Sequence, residues 1–101
     1  KDGYSIEEIY SKKDSLQGKT VKVRGRVVRF SPNIMGTNWI HIQDNTGTEG
    51  TNDLTIRSLQ ETKLGDVILA TGMLETNKDF GGGYQYDAIL EQAKLTVEAN
   101  N

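Results

Sequence analysis

A chain of 101 residues holds one hydrophobic core, and 35% hydrophobic and 26% charged residues with a single Pro describe a folded globular chain rather than a disordered one. The absence of Cys excludes disulfide frameworks and thiolate metal sites, and no apolar run approaches the roughly 18 residues a membrane-spanning helix needs. The net charge of −2 speaks against a ligand held mainly by phosphate neutralisation, which usually goes with a basic domain, unless a local basic patch supplies the attraction.

The sequence begins at Lys1 with no basic, apolar and small-residue leader, so a targeting segment is expected to have been removed or never to have existed. The first elements read as a helix over about 5–15. Ser5 followed by Glu8 fits a capping box, in which each side chain satisfies the other's free backbone donor. Ile6, Ile9, Tyr10 and Leu16 give helical apolar spacing, Lys12 and Lys13 sit toward the end where the dipole favours cations, and Gly18 is the stop signal.

Thr20 to Ser31 carries the strongest strand pattern. Val21, Val23, Gly25 and Val27 alternate with Lys22, Arg24 and Arg26, a period of two with one buried face. The phase then changes, since Val28 and Phe30 are apolar at even positions, and a bulge near Gly25 to Val28 accounts for the switch. A long first strand with an internal glycine is how a small barrel turns a corner. Ser31 to Thr37, containing Pro32, Asn33 and Gly36, reads as a loop.

Asn38 to Asp44 is the second strand, with Ile40 and Ile42 on one face and Trp39, His41 and Gln43 on the other. Asp44 to Asn52 is turn-rich, Asp53 to Arg57 is a third strand, and Leu59 to Asp66 is a connector ending in the Gly65-Asp66 turn. Val67 to Leu74 is a fourth strand, and Thr76 to Gly83 is a glycine-rich loop. Tyr84 to Leu90 and Ala93 to Val97 form the fifth, broken near Glu91. Five strands without a long crossover helix imply a small closed sheet, since a sandwich would want about seven. Val21, Val23, Val27, Ile40, Ile42, Leu54, Ile56 and Leu69 are the expected core.

Several segments resemble a known family. They are Lys19-Thr20-Val21-Lys22-Val23-Arg24-Gly25, Asn33-Ile34-Met35-Gly36 running into Asn38-Trp39-Ile40-His41-Ile42-Gln43-Asp44, Gly65-Asp66-Val67, and Lys78-Asp79-Phe80-Gly81 leading to Tyr84 and Tyr86. Together they resemble the small bacterial OB-fold (oligonucleotide/oligosaccharide-binding) proteins described as nucleic-acid-binding, which are related to the anticodon-binding type of OB domain and often exported as lipoproteins. The resemblance implies an all-β, five-stranded OB barrel over about 19–97 with an N-terminal helix packed on it, in one domain spanning 1–101. It also implies a nucleic-acid ligand and an exported location in the periplasm or cell envelope.

In OB domains the usual ligand face crosses the second and third strands, between the loops that join strands 1–2 and 4–5. Alternation points Arg24, Arg26, Trp39, His41 and Arg57 outward, and the flanking loops add Asn33, Met35, Asn38, Lys78, Phe80 and Tyr84. The candidate ligand-binding set is therefore Arg24, Arg26, Met35, Asn38, Trp39, His41, Arg57, Lys78, Phe80 and Tyr84. Rings stack on bases and cations follow phosphates, which is the chemistry single-stranded nucleic acid asks for. A sugar ligand would use the same ring faces.

Each residue also has a plainer role open to it. Arg24 and Arg26 fit the solvated face of an amphipathic strand, and Met35 and Phe80 fit plugs for the barrel mouth. Trp39 fits a cover over the core with its N–H on a carbonyl, and His41 fits a surface histidine.

Catalysis has little to work with. No Cys nucleophile exists, and the single His would need a Ser from an unplaced loop. Gly81-Gly82-Gly83 lacks the Lys-Ser/Thr and helix of a phosphate loop. The acidic stretch from Asp44 to Asp53 does not match an EF-hand loop. The expectation is a non-enzymatic binding module without cofactor or metal. Its ligand is a single-stranded oligonucleotide or, alternatively, an envelope protein or glycan on the same face.

Overall fold

The structure, a computed structural model, describes residues 3–100, so the expected domain limits Lys1 and Asn101 lie outside the described residues. In chain order the elements are β1 (Gly3–Tyr4), α1 (Ile6–Ser11), α2 (Lys13–Leu16), β2 (Thr20–Ile34), β3 (Thr37–Gln43), β4 (Leu54–Ser58), β5 (Val67–Asp79) and β6 (Gln85–Ala99). The sheet order is β1-β2-β3-β4-β6-β5, and β2 pairs with β5 as well, so β2 to β6 close into the five-stranded barrel of an OB-type fold. Within the ring only β4–β6 is parallel, through Thr55↔Ile89 and Ile56↔Leu90. The two-residue β1 adds to β2 in parallel, through Gly3↔Lys22 and Tyr4↔Val23, a pairing too short to leave a sequence signal.

Strand β2 serves two neighbours in turn. Thr20 to Arg26 pair with β5, and Arg26 to Ile34 pair with β3. Val21, Val23 and Val27 are buried as expected, and the register slips between Val27 and Arg29, where Val28 is the extra, exposed residue of a bulge. After the slip Phe30 packs against the core. Gly25 sits where the strand bends, and a Cβ there would lie 3.0 Å from the Gln43 carbonyl and 3.1 Å from the Ile42 Cβ. Gly72 on β5 is tighter, with its missing Cβ 2.8 Å from the Glu91 carbonyl.

Five expectations are corrected. The helix over 5–15 is interrupted at Lys12 (φ −111°, ψ 14°), although the Ser5–Glu8 capping box is present and Ile6, Ile9 and Leu16 are buried. The loop over 31–37 is a hairpin instead. Strand β2 runs to Ile34, and Met35 and Gly36 turn the chain with φ of 51° and 80°, the paired positive values of a tight hairpin. Pro32, read as a breaker, falls in the irregular register between Ser31 and Ile34, where its missing N–H breaks no ladder bond.

The glycine-rich loop shrinks in the same way, because β5 continues to Asp79 and β6 starts at Gln85. The bend near Glu91 is a bulge within one strand, with Gln92 at φ 51° and the register slipping opposite Thr71 and Met73. Finally, Leu69 faces outward. Val21 pairs with Gly72 and Val23 with Ala70, and residues directly opposite share a face, so the inner set on β5 is Ile68, Ala70, Gly72 and Leu74. An unbroken apolar run, Val67 to Ala70, hides that phase.

The helical segment is tied on by polar bonds as well as burial. The Asp44 carboxylate accepts from Ile6 N–H at 2.9 Å, and Tyr10 donates its hydroxyl to the Asp53 carbonyl at 2.6 Å. Burial first, then Asp53 and Asp87, pushes the Tyr10 phenol up to about 12.

Two outcomes follow. Ile42, fully buried, is expected to cost about 2–5 kcal/mol on truncation to Ala in a denaturant titration; an effect under about 1 kcal/mol would contradict its core position. Because the unfolded chain releases the Tyr10 proton first, stability is complete below the ordinary phenol value of about 10 and is lost as pH rises toward about 12. Tyr10→Phe should flatten that part of the profile, and an equally steep profile in the variant would assign it to other groups.

Candidate ligand-binding face

On β3, Ile40 and Ile42 face the barrel interior, and Trp39 faces out. It is nevertheless only 3% exposed, because the hairpin joining β5 and β6 folds over it. Phe80, Tyr84 and Tyr86 lie around the indole with ring centroids 5.2, 5.6 and 5.6 Å away, and the indole N–H donates to the Ile34 carbonyl at 2.8 Å. Each such ring pair contributes about 0.5–1.5 kcal/mol beyond area burial. Trp39 thus anchors a small second core on the outside of the barrel and offers no open face for stacking. Alternation showed which side of the sheet it occupies; it could not show that another hairpin lies on top.

Arg57 stands directly across the ladder from Trp39. Its guanidinium carbon is 5.1 Å from the Trp39 ring centroid and 4.8 Å from that of Phe80. Its Nε donates to the Thr37 hydroxyl at 3.1 Å, and one terminal nitrogen donates to both Glu91 carboxylate oxygens at 3.1 and 3.0 Å. Cation and aromatic rings are therefore brought together as expected, with Glu91 neutralising the charge. Beside the pair runs a cleft of about 600 Å³ whose walls include Thr37, Leu59, Gln92 and Lys94.

The other expected residues divide. Lys78 sits 5.6 Å from the Phe80 ring centroid and 3.8 Å from a Glu75 carboxylate oxygen. Tyr84 is exposed at the hairpin tip, and Met35 is exposed at the neighbouring one. His41, next outward residue on β3 after Trp39, holds Asp53 through Nδ1 at 2.7 Å. Asn38 is buried and structural: its Oδ1 accepts from Asn33 N–H at 3.1 Å and its Nδ2 donates to the Gln60 carbonyl at 2.9 Å. Arg24 and Arg26 do not join the cluster. They lie on the half of β2 that pairs with β5, where Arg24 forms an ion pair with Glu98 and Arg26 donates to the Gly65 carbonyl at 2.7 Å. From Arg24 to Ser31, the ladder partner of Trp39, is roughly 23 Å of strand.

Three residues of this face were missed by the sequence reading. Tyr86 completes the ring cluster, Glu91 balances Arg57, and Arg29 pairs across the ladder with His41. The Tyr86 phenol is raised by burial foremost, then by Tyr84; Arg29 opposes the shift and Asp53 adds to it. Continuing the alternation past the Val28 bulge would have found Arg29; Glu91 is 34 positions from Arg57 and left no local trace. Among the described residues no group of three or more His, Asp or Glu side chains is placed to hold a metal ion.

Comparison with known proteins supports the architecture. No family model matches the sequence, and no curated protein matches it. Among solved structures, a putative aspartyl-tRNA synthetase from Leishmania major Friedlin superimposes with a TM-score of 0.72 at 12% identity, over 98% of this chain and 21% of that one. OBody AM3L09, bound to hen egg-white lysozyme, gives 0.71 at 15% identity over 100% of this chain and 98% of the other. A DUF3299 family protein from Pseudomonas aeruginosa PAO1 gives 0.57 at 14% identity over 86% and 66%. The chain therefore spans only a fifth of the synthetase, and at these identities the likeness is one of fold alone.

The Arg57–Glu91 pair yields a direct test. The two side chains are 17% and 13% exposed, so Glu91→Ala leaves a largely desolvated guanidinium without its acceptor. The expected loss of stability is about 1.5–3 kcal/mol, the range for bonds to charged groups. A loss of about 0.5 kcal/mol or less would put the pair with ordinary surface ion pairs.

Proposed function

We propose that the chain is a non-enzymatic binding module that takes a single-stranded oligonucleotide across the outer barrel face between the Met35-Gly36 turn and the Phe80–Tyr84 hairpin tip. The observation that carries this reading is the ring cluster of Trp39, Phe80, Tyr84 and Tyr86, with Lys78 over Phe80 and Arg29 across the ladder from His41. Bases stack on the outer rings, Tyr84 above all, while buried Trp39 holds those rings in place. Lys78 and Arg29 supply positive charge, since Arg57 is already balanced by Glu91. The anticodon-binding OB domain implied by the sequence resemblance, and the synthetase among the structural neighbours, support the same ligand class.

A second reading has its own observation. With Arg57 neutralised and a net charge of −2, the face carries little electrostatic attraction, while exposed Met35 and Tyr84 are of the types enriched at protein interfaces. An OB scaffold bound to lysozyme shows that such a barrel can be presented to a protein. On this reading the partner is an envelope protein or a glycan, in keeping with an exported location.

Trp39, the only Trp, reports on the face because a base stacked on the rings packed around it changes the indole's surroundings without uncovering it. Titration with a short oligothymidylate is expected to change its emission, and Tyr84→Ala is expected to weaken binding by about 1–3 kcal/mol, the range for one base–ring stack. An unchanged emission at millimolar oligonucleotide, with binding to a protein or glycan that barely responds to salt, would select the second reading.

A further inference from the structure

The cations that the structure separates from the ring cluster form a pattern of their own along β2. Lys22, Arg24 and Arg26 are exposed and alternate with buried Val21, Val23 and Val27. In an unbroken strand the next odd position, 29, would share the inward phase of Val27. The extra residue Val28 reverses this, so Arg29 lies outside, opposite His41, while Phe30 pairs with inward Ile40. The bulge thereby places a fourth cation on the outer side of the same strand, beyond the corner from the other three. Alternate outward side chains repeat about every 6.6–6.8 Å along a strand, close to the separation of successive phosphates in an extended nucleic-acid backbone.

The surroundings suit an anionic chain. A surface cleft of about 620 Å³ runs beside the first three of these cations, its walls including Lys22, Arg24, Arg26, Gln43, Asp44 and Asn45. The carboxylates nearby are committed or weakly held. Asp44 accepts from Ile6 N–H and Thr46 N–H, and Asp53 is bonded to His41. Glu98 pairs with Arg24, whose side chain is 60% exposed, and an ion pair so open to water yields readily to a competing phosphate. At its far end the row arrives at Arg29, whose ladder partner His41 stands two residues from Trp39 on β3.

We propose that Lys22, Arg24, Arg26 and Arg29 form a phosphate track along β2 that carries the backbone of a single strand around the barrel corner to the ring face. This rests on the oligonucleotide reading and deepens it, giving a mildly acidic protein the local basic patch its overall charge lacks. Base contacts and backbone contacts then occupy different parts of the barrel, joined at Arg29.

The test is fluorescence anisotropy of a labelled oligothymidylate of about 16 nucleotides, the upper end of the site size of one OB fold, measured from about 50 to 200 mM salt. Arg24→Gln, Arg26→Gln and Arg29→Gln, with folding checked by circular dichroism, should each lower the slope of log affinity against log salt by about 0.7. The fall in affinity over that range becomes about 2.6-fold smaller for each arginine–phosphate pairing removed. Glu98→Gln, which frees Arg24, should tighten binding. Tight binding with an unchanged slope in all three arginine variants overturns the track and leaves the ring face standing.

If the wild type binds no oligonucleotide, the ligand reading fails, and the track is judged on inorganic polyphosphate under the same conditions. Binding that the triple arginine variant abolishes supports an anion track; no binding overturns it.

Discussion

One strand has to belong to both halves of a closed sheet, and the rest of the molecule depends on how β2 meets that demand. Its first half bonds to β5 and its second to β3, so it must bend sharply without losing its inward face. Gly25 lets Ile42 and the Gln43 carbonyl approach where a side chain would collide, and the Val28 bulge inserts the residue that restores phase for Phe30. Closure follows, and with it the burial of Ile40, Ile42, Leu54 and Ile56 in one core. The same bulge decides which side of the sheet Arg29 occupies, so the corner is both an architectural device and the reason a cation stands opposite His41 on the outer face.

A second centre of organisation lies outside the barrel. The hairpin between β5 and β6 would be a loose ribbon on its own, as isolated hairpins are marginal in water. Here it finds an anchor in Trp39, which is held by its own bond to the Ile34 carbonyl at the end of the other hairpin. One indole therefore ties together the two tips that frame the face. Arg57 under Phe80, balanced by Glu91, fills the polar edge of that contact. Tyr84 is left exposed at a tip where Gly81, Gly82 and Gly83 all have positive φ, a stretch whose backbone side chains would strain.

What could be read directly from the sequence was what local pattern encodes. The capping box at Ser5 and Glu8, the alternation from Val21 to Val27 and the phase switch after it each involve residues a few positions apart, and each is present in the fold. The five-stranded closed sheet followed from counting such segments. What could not be read depends on partners far along the chain. Leu69 lies in a run that is apolar at every position, so its facing is set by the pairing of Val21 with Gly72 and Val23 with Ala70. The burial of Trp39 is set by rings at 80, 84 and 86, and the charge state of the face by Glu91 meeting Arg57. Arg24 and Arg26 were grouped with Trp39 because all three point outward, but outward on a barrel is not one direction.

The central claim is that the outer face built on Trp39 receives the ligand while Trp39 itself stays buried as its support. Backbone and indole amide signals of isotope-labelled protein, followed by NMR during titration with oligothymidylate, test it residue by residue. The expected result is a set of shifts at Phe80 to Tyr84, Tyr86, His41 and Arg29, with the Trp39 indole N–H still protected from exchange by its bond to Ile34. Shifts confined to the connector from Leu59 to Asp66 or to α1, or an indole N–H that exchanges freely once ligand is bound, would contradict it.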